Sequence, residues 1–165
     1  MPGAPARLEV TSSLFYDGGQ LPKAMLHTSV GGLNQSPPLA WKGEPPSTRG
    51  FAVLCWDRDA PTGVGFFHWV LFNLPPDVHE IAPNSGVPGG KLLPGQAVLG
   101  MTDLGQSAYG GPCPPPGLPH HYEFTVHALD VARLDGGPNS TGAALRFAMH
   151  GHVLAEGKIT GVYGR

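Results

Sequence analysis

Short segments of apolar and polar residues follow one another along the chain and predict a mainly β fold. FAVLCWD (51–57) and FHWVLFNLP (67–75) are almost wholly apolar and are bounded by turn residues, which is typical of strands buried on both faces. HYEFTVHALD (121–130) alternates between two faces and therefore predicts a half-buried strand. RLEVTSSLF (7–15) alternates more weakly and indicates a first strand.

One segment has helical spacing, and the rest of the chain contributes mostly turns. In NSTGAALRFAMHGHVLAEG (139–157), Ser140 or Thr141 can cap a helix. Its apolar stripe consists of Leu145, Ala148, Met149 and Val153. Residues 76–108 hold many turn signals, and KITGVYGR (158–165) predicts a short closing strand. Together these patterns predict one mainly β domain over residues 1–165.

The composition fits a globular domain. Of the 165 residues, 41% are hydrophobic and 13% are charged, and the net charge is −2 with scattered Lys and Arg, so no nucleic-acid partner is expected. The 25 Gly and 19 Pro lie between apolar segments and are interpreted as turns. No apolar run approaches the ~18 residues of a membrane span, and the N-terminus lacks a signal-peptide pattern. We therefore expect a cytoplasmic protein without stable membrane insertion.

The cysteine content is low. Cys55 and Cys113 are too few for a disulfide framework or a zinc site. Two buried free thiols are the favoured interpretation, and a bridge between them stays open. The sequence shows no metal-ligand spacing, and we expect neither a metal nor a cofactor.

Ionisable residues stand at the ends of the two apolar strands. Asp57 ends the first strand and His68 lies at the start of the second, and charged groups at a core need partners or a position at its rim. If the strands are antiparallel neighbours with Asp57 opposite His68, both side chains lie on one face. Asp59 lies two residues after Asp57 and would point to the same side of an extended chain, which would bring two aspartates and a histidine together. The alternative is structural, because an Asp near a strand end often ties down a turn.

The stretch YGGPCPPPGLPHHYEF (109–124) is stiffened by prolines immediately before two histidines. Prolines fix φ and remove N–H donors, whereas Gly111 and the other glycines allow close backbone approach. Such a segment suits a rigid wall that presents His120, His121 and Tyr122 as hydrogen-bond donors, with backbone N–H groups forming an anion-friendly concavity. The alternative is a polyproline-like surface loop whose histidines are solvated.

Taken in order, these motifs resemble the phosphatidylethanolamine-binding protein family, which includes Raf kinase inhibitor protein, and its bacterial branch in particular. The resemblance covers nearly the whole chain. It rests on SPPLAW (36–41), FAVLCWDRDAP (51–61), FHWVLFNLP (67–75), YGGPCPPPGLPHHYEFTVHALD (109–130) and GHVLAEGKITGVYGR (151–165). It implies a large central antiparallel sheet, a smaller sheet packed on it and a few peripheral helices.

The resemblance also implies a small pocket for phosphate-like anions. The D-x-D-A-P motif, the histidine of H-W, the proline-lined wall and the ends of an H-R-Y triplet all have counterparts in this chain. The matching positions are Asp57, Asp59, His68, Pro112, Pro114, His120 and Tyr122. Gly111 stands beside them as a backbone donor.

Three departures from the family pattern bear on the pocket. Arg58 stands where the family often has Pro, which would loosen the first turn. His121 stands where Arg is usual, so a fixed positive charge becomes a titratable one. The C-terminal helix that flanks the pocket in the eukaryotic branch is not evident. The site would then be more open or closed by a second copy, and the bacterial relatives also suggest a homodimer.

Three functions are open at this point. The first is a binding protein for a phosphate-bearing or other anionic small ligand, such as a phosphoethanolamine-like lipid headgroup. In it, Asp57 would orient His68 or receive the cationic end of the headgroup. The second is regulation of a protein kinase or another protein partner. The third is an acid–base enzyme of isomerase or cyclase type that uses the Asp57/His68 pair; no activated nucleophile is evident, and a non-enzymatic role is favoured.

Overall fold

The computed structural model of the chain describes residues 3–165. Within these residues the chain forms ten β-strands, one α-helix and two short 3-10 helices. The strands are β1 (Ala6–Arg7), β2 (Glu9–Thr11), β3 (Gly19–Gln20), β4 (Leu39–Lys42), β5 (Gly50–Asp57), β6 (Phe66–Leu74), β7 (Glu80–Ile81), β8 (Val98–Leu99), β9 (His120–Leu129) and β10 (Val153–Tyr163). The α-helix, α1, is Gly142–Met149, and the 3-10 helices are Lys23–Met25 and Thr28–Val30.

The strands form two sheets. The larger has the order β1-β10-β9-β5-β6-β8, with β3 also paired to β10, and the smaller has the order β2-β4-β7. The pairs from β10 to β8 are antiparallel, as expected, whereas β1 and β3 run parallel to β10. The predicted architecture of a large sheet with a smaller packed sheet is therefore confirmed. The large sheet is mixed at one edge because two short strands from the first part of the chain both join β10.

Apolar side chains form one core on each face of the large sheet. The core between the sheets includes Trp41 and Ile81 of the smaller sheet and Val53 and Trp69 of the larger one. On the opposite face, Leu145 and Met149 of α1 lie over a second core. That core also contains Ala52, Leu54, Phe67, Val70 and Phe72. Successive residues of β5 and β6 enter opposite cores, which explains why both strands are almost wholly apolar in sequence.

The helix ends, and the last strand begins, earlier than the sequence patterns predict. α1 ends at Met149, and Gly151 then adopts a left-handed φ of 84°, a conformation that commonly terminates helices. Val153 consequently belongs to β10 and not to the helical stripe, and β10 has 11 residues in place of a short closing strand. Thr141, and not Ser140, caps the helix by accepting a hydrogen bond from the Ala144 N–H at 3.1 Å. No helix formed by residues 3–165 is both long enough and apolar enough to cross a membrane.

Candidate functional site

A cavity of about 280 Å³ opens where the ends of β5, β6 and β9 meet the proline-rich loop, residues 110–119. It combines two histidines, one aspartate and one tyrosine with an apolar rim. The lining residues are Asp57, Ala60, Pro61, Thr62, Phe66, His68, Leu104, Cys113, Pro114, Pro115, His120 and Tyr122. The structure therefore brings together Asp57, His68, Pro114, His120 and Tyr122, as the motifs predicted.

His68 enters the cavity through a β-bulge that the sequence pattern did not reveal. Cys55 pairs with Trp69 and Trp56 pairs with Phe67, so His68 is the extra residue on β6, and Asp57 lies opposite Phe66. The expected register, with Asp57 opposite His68, was therefore wrong. The bulge interrupts the alternation of faces: Phe67 packs beneath α1, while Trp69 packs between the sheets.

Asp57 holds His120 and not His68. Its Oδ2 lies 2.7 Å from Nδ1 of His120, and its Oδ1 accepts a hydrogen bond from the Asp59 N–H at 2.9 Å. Asp57 and His120 are both buried. Since a carboxylate accepts, Nδ1 of His120 carries a proton, and Nε2 is the ring nitrogen left for other partners. The expectation that Asp57 orients His68 is replaced by this Asp57–His120 pair.

His68 is bound to the proline-rich loop. Its Nδ1 donates to the Gly110 carbonyl at 2.8 Å, and its own carbonyl accepts from the Gly110 N–H at 2.9 Å. Burial lowers the pKa of His68, against the smaller opposing effects of the Gly110 hydrogen bond and the Asp57 charge. The ring is therefore neutral near pH 7, with Nδ1 protonated and a lone pair on Nε2.

Tyr122 contributes a buried hydroxyl to the cavity wall. The residue is fully buried, and its hydroxyl has no hydrogen-bond partner of normal geometry among the described residues 3–165, although the Asp57 carboxylate lies close enough to attract it. Its ring lies against both histidines, with ring centroids 5.3 Å from His68 and 6.5 Å from His120. Burial, and then the nearby negative charge of Asp57, raises the pKa of Tyr122. The side chain is consequently a neutral phenol that can donate a hydrogen bond.

Asp59 lies outside the cavity, although its position two residues after Asp57 predicted that it would face the same side. The chain turns after Asp57, and Asp59 Oδ2 accepts from the His121 N–H at 2.7 Å and contacts His121 Nδ1 at 2.8 Å. Burial alone would raise the pKa of Asp59, but the two hydrogen bonds from His121 lower it. His121, which replaces the usual arginine, is therefore held by an aspartate beside the site.

Gly111 and Pro112 lie behind the wall and do not line the cavity. The Gly111 N–H donates to Asn34 Oδ1 at 2.6 Å, and the Pro112 carbonyl accepts from the His27 N–H at 3.0 Å. Their role is to attach the proline-rich loop to the segment before β4. At the other end of the loop, Arg165 Nε donates to the Pro114 carbonyl at 2.7 Å.

Several lining residues were not singled out by the sequence patterns. Phe66 and Leu104 reach the cavity from two different segments. No local signal marks a residue that becomes a neighbour only through folding. Cys113 lies within the proline-rich stretch itself. It is a free, half-buried thiol, and Cys55 is a free, buried one, so the two cysteines are not bridged.

No metal site is evident among residues 3–165. They contain no group of three or more His, Cys, Asp or Glu side chains placed to hold a metal ion. Asp57 and His120 are engaged with one another, and His68 is engaged with a carbonyl.

A larger, more open groove of about 870 Å³ lies on the opposite face of the sheet, beside the end of α1. Its two acidic residues already have partners, because Lys158 Nζ lies 2.9 Å from Glu123 and His127 Nδ1 lies 3.4 Å from Glu156. The smaller cavity is the better candidate site because its polar groups converge on one enclosed space.

The chain is similar to proteins of one family along nearly its whole length. The family model described as phosphatidylethanolamine-binding protein matches residues 11–164. The UPF0098 protein YbhB of Escherichia coli K12 is 40% identical over 158 residues, which are 94% of this chain and 99% of YbhB.

Two solved structures support the same assignment. The crystal structure of YbcL from E. coli, described as a new member of the mammalian PEBP family, matches with a TM-score of 0.93 and 39% identity, covering 97% of this chain and 99% of YbcL. A putative phosphatidylethanolamine-binding protein homologue from Chlamydia trachomatis matches with a TM-score of 0.81 and 31% identity, covering 96% and 98%. The chain therefore belongs to the phosphatidylethanolamine-binding protein family.

Proposed function

We propose that the chain binds a phosphate-bearing or similar anionic small molecule in the cavity between Asp57, His68, His120 and Tyr122. The observation that carries this proposal is the Tyr122 hydroxyl, which is buried in the cavity wall without a hydrogen-bond partner. A buried donor left unpaired costs about 1–3 kcal/mol. A ligand oxygen that accepted its hydrogen bond would remove that cost.

The Asp57 carboxylate opposes an anion least when His120 carries a second proton, because the Asp57–His120 pair is then neutral overall. Both carboxylate oxygens already accept hydrogen bonds, one from the Asp59 N–H and one from His120 Nδ1. Asp57 thereby fixes the His120 ring with Nε2 free, and it can balance a positive charge on that ring. His120 is thus better placed than the neutral His68 to become a cationic donor to a ligand oxygen.

The cavity lining contains no lysine or arginine, so its positive charge must come from an imidazole. With Nδ1 of each ring already donating, Nε2 can donate only after the ring gains a second proton. We therefore expect ligand binding to be accompanied by proton uptake and to weaken as the pH rises past the histidine range. The apolar rim, which includes Phe66, Pro61 and Pro115, would cover the carbon atoms of a headgroup such as phosphoethanolamine.

Calorimetric titration with inorganic phosphate and with phosphoethanolamine, between about pH 5.5 and 8 around the free histidine pKa, tests this function. We expect measurable heat, tighter binding at the acidic end, and a buffer-dependent enthalpy that reports proton uptake. Tyr122→Phe should weaken binding about tenfold, or ~1.4 kcal/mol, because it removes the unpaired donor. Asp57→Asn should weaken binding least at the acidic end and more as the pH rises, because His120 without the balancing charge needs more acid to gain its second proton.

The chain offers a matched control for the buried pair. His152 and Asp130 form a similar pair on the surface, with Nδ1 of His152 lying 2.8 Å from Asp130 Oδ1. Neither residue lines the cavity. Asp130→Asn should leave the titrations unchanged. The absence of heat with both ligands across the whole pH range would overturn the proposal.

The Asp57–His120 pair also favours a second candidate function. A histidine held by a buried carboxylate can act as a general base or acid, so proton-transfer catalysis would use this pair in place of the predicted Asp57/His68 pair. Turnover of a candidate substrate that is lost in His120→Gln and retained in Asp130→Asn would support it.

Regulation of a protein kinase or another protein, homodimer formation and a cytoplasmic location stay predictions. Capture of a partner from the native lysate by the wild type and not by Asp57→Ala would support a regulatory role through the cavity. Sedimentation of the purified chain would decide its oligomeric state.

A further inference from the structure

Cys113 places a free thiol in the wall of the same cavity. It lies between Pro112 and Pro114 in the proline-rich loop, is half-buried, and lines the cavity together with Tyr122 and the two histidines. We propose that Cys113 is a modification site: a small anionic disulfide enters the cavity and forms a mixed disulfide with the Cys113 sulfur, which closes the cavity to phosphate-bearing ligands. The closure of the cavity to ligands rests on the proposed function, whereas the modification of Cys113 does not.

The loop holds the thiol in a fixed position. The prolines at 112, 114, 115, 116 and 119 restrict the backbone on both sides of Cys113. The Pro112 carbonyl is bonded to the His27 N–H at 3.0 Å, and the Pro114 carbonyl is bonded to Arg165 Nε at 2.7 Å. Because both neighbours of Cys113 are anchored, the backbone keeps the thiol in the cavity wall.

A second feature of the cavity points independently to a ligand at this place. The Tyr122 side chain lines the same space, and its buried hydroxyl lacks a hydrogen-bond partner of normal geometry among residues 3–165. Cys113 and Tyr122 line the same cavity of about 280 Å³. A group attached to Cys113 could therefore occupy the position of the ligand that Tyr122 is suited to bind.

The proposed reaction is thiol–disulfide exchange, which needs no catalyst. The Cys113 thiolate attacks one sulfur of the incoming disulfide, a new S–S bond forms as the old one breaks, and the second half leaves as a thiolate. The proton lost from Cys113 ends on the leaving thiol. Cys113 is oxidised and the leaving half is reduced, so the electrons balance without another reagent.

One tripeptide half of an anionic disulfide, once attached to Cys113, suits the cavity. The same donors that would bind a phosphate, Tyr122 and a protonated His120, would bind a carboxylate of the disulfide. A volume of about 280 Å³ lies at the lower end of the range for small-molecule pockets, so one attached tripeptide would leave little room for a second ligand.

Cys55 serves as an internal control for the reaction. It is completely buried within the core between the sheets, and burial raises the pKa of its thiol. A thiol in such surroundings is inert. Modification of the folded chain should therefore stop at one site.

The test is incubation of the reduced chain with oxidised glutathione, followed by intact mass measurement and peptide mapping. We expect one glutathione adduct, located at Cys113, absent in Cys113→Ser and reversed by dithiothreitol. Cys55 should react only after the chain is unfolded in denaturant. Parallel alkylation with the small neutral reagent iodoacetamide measures plain accessibility of the thiol.

The consequence is measured by titrating the purified adduct with phosphate and phosphoethanolamine. We expect the heat seen with the reduced chain to disappear in the adduct and to return after reduction. Excess phosphoethanolamine, at about ten times its Kd, should slow adduct formation about tenfold, because only the unoccupied fraction of the protein reacts.

The possible failures are distinguishable. If iodoacetamide labels Cys113 but oxidised glutathione does not, or if the adduct still binds phosphate with unchanged affinity, the proposal is overturned. If the reduced chain gives no heat with either phosphate, the proposed function fails and closure of the cavity fails with it. In that case adduct formation alone still decides whether Cys113 is a modification site.

Discussion

The two histidines of the cavity show how surroundings assign different roles to one residue type. Nδ1–H of His120 donates a hydrogen bond to a buried carboxylate, whereas Nδ1–H of His68 donates to a carbonyl of the proline-rich loop. The carboxylate can balance a second proton on His120, but burial disfavours a positive charge on His68 and lowers its pKa. In the proposed function, His120 is therefore the ring that gains a proton with the ligand, and His68 stays neutral.

The lowered pKa of His68 predicts a pH dependence of stability. Between the lowered folded pKa and the unfolded value near about 6.5, the unfolded chain binds the proton more readily, so the free energy of unfolding falls as the pH falls. The stability that the folded chain gains from a neutral His68 is fully present above about pH 6.5, and it is lost progressively as the pH falls below that value. Urea titrations at several pH values should show a shallower loss of stability on acidification in His68→Gln than in the wild type.

The surface histidine His152 supplies the comparison for this measurement. It pairs with Asp130 on the surface and lies outside the cavity lining, so His152→Gln controls for the loss of a histidine ring as such. If the free energy of unfolding falls equally with pH in the wild type and in His68→Gln, then His68 does not contribute as proposed.

At the scale of elements, a bulge in β6 and the cap of α1 illustrate two kinds of local control. The bulge adds His68 between two paired residues and turns it toward Tyr122, so a single extra residue defines one side of the cavity. The cap is simpler: Thr141 Oγ1 accepts from the Ala144 N–H, which would otherwise be unpaired in the first turn. The first feature serves the site, and the second serves the core beneath α1.

Removing the cap should therefore affect stability without affecting the site. Thr141→Ala should lower the free energy of unfolding by about 1 kcal/mol, measured by urea denaturation, because the Ala144 N–H loses its partner. Thr141→Ser keeps the oxygen and should stay close to the wild type. Phosphate binding should be equal in all three chains, since no residue of α1 lines the cavity; an alanine variant as stable as the wild type would contradict the capping role.

At the scale of the whole molecule, the cavity depends on contacts between segments that are distant in sequence. The proline-rich loop is attached to His68 of β6, to Asn34, to the backbone near His27 and to Arg165. A Cβ at Gly111 would lie 2.3 Å from the Met25 carbonyl oxygen and 2.5 Å from the His27 nitrogen. Backbone therefore packs directly on backbone, which leaves no room for a side chain.

Gly111→Ala should disturb both the fold and the site. A clash with backbone atoms cannot be relieved by a side-chain movement, so we expect a loss of at least about 2 kcal/mol in the free energy of unfolding. Phosphate affinity should fall as well, because the displaced loop carries one wall of the cavity. Gly137→Ala is the matched control, since a Cβ there meets nothing within 4 Å; equal stability of the two variants would refute the packing argument.

The sequence by itself determined the three long strands β5, β6 and β9, the two-sided burial of β5 and β6, and the motifs that meet at the cavity. Alternation and apolar runs are local properties, and they correctly placed β9 and both central strands. Only the tertiary structure decided which side chains pair. A bulge shifts the register at His68, and a turn places Asp59 beside His121. Asp57 consequently forms its hydrogen bond with His120. The reason is physical: residue spacing specifies the face of a strand, whereas partners depend on backbone irregularities and on contacts between distant segments.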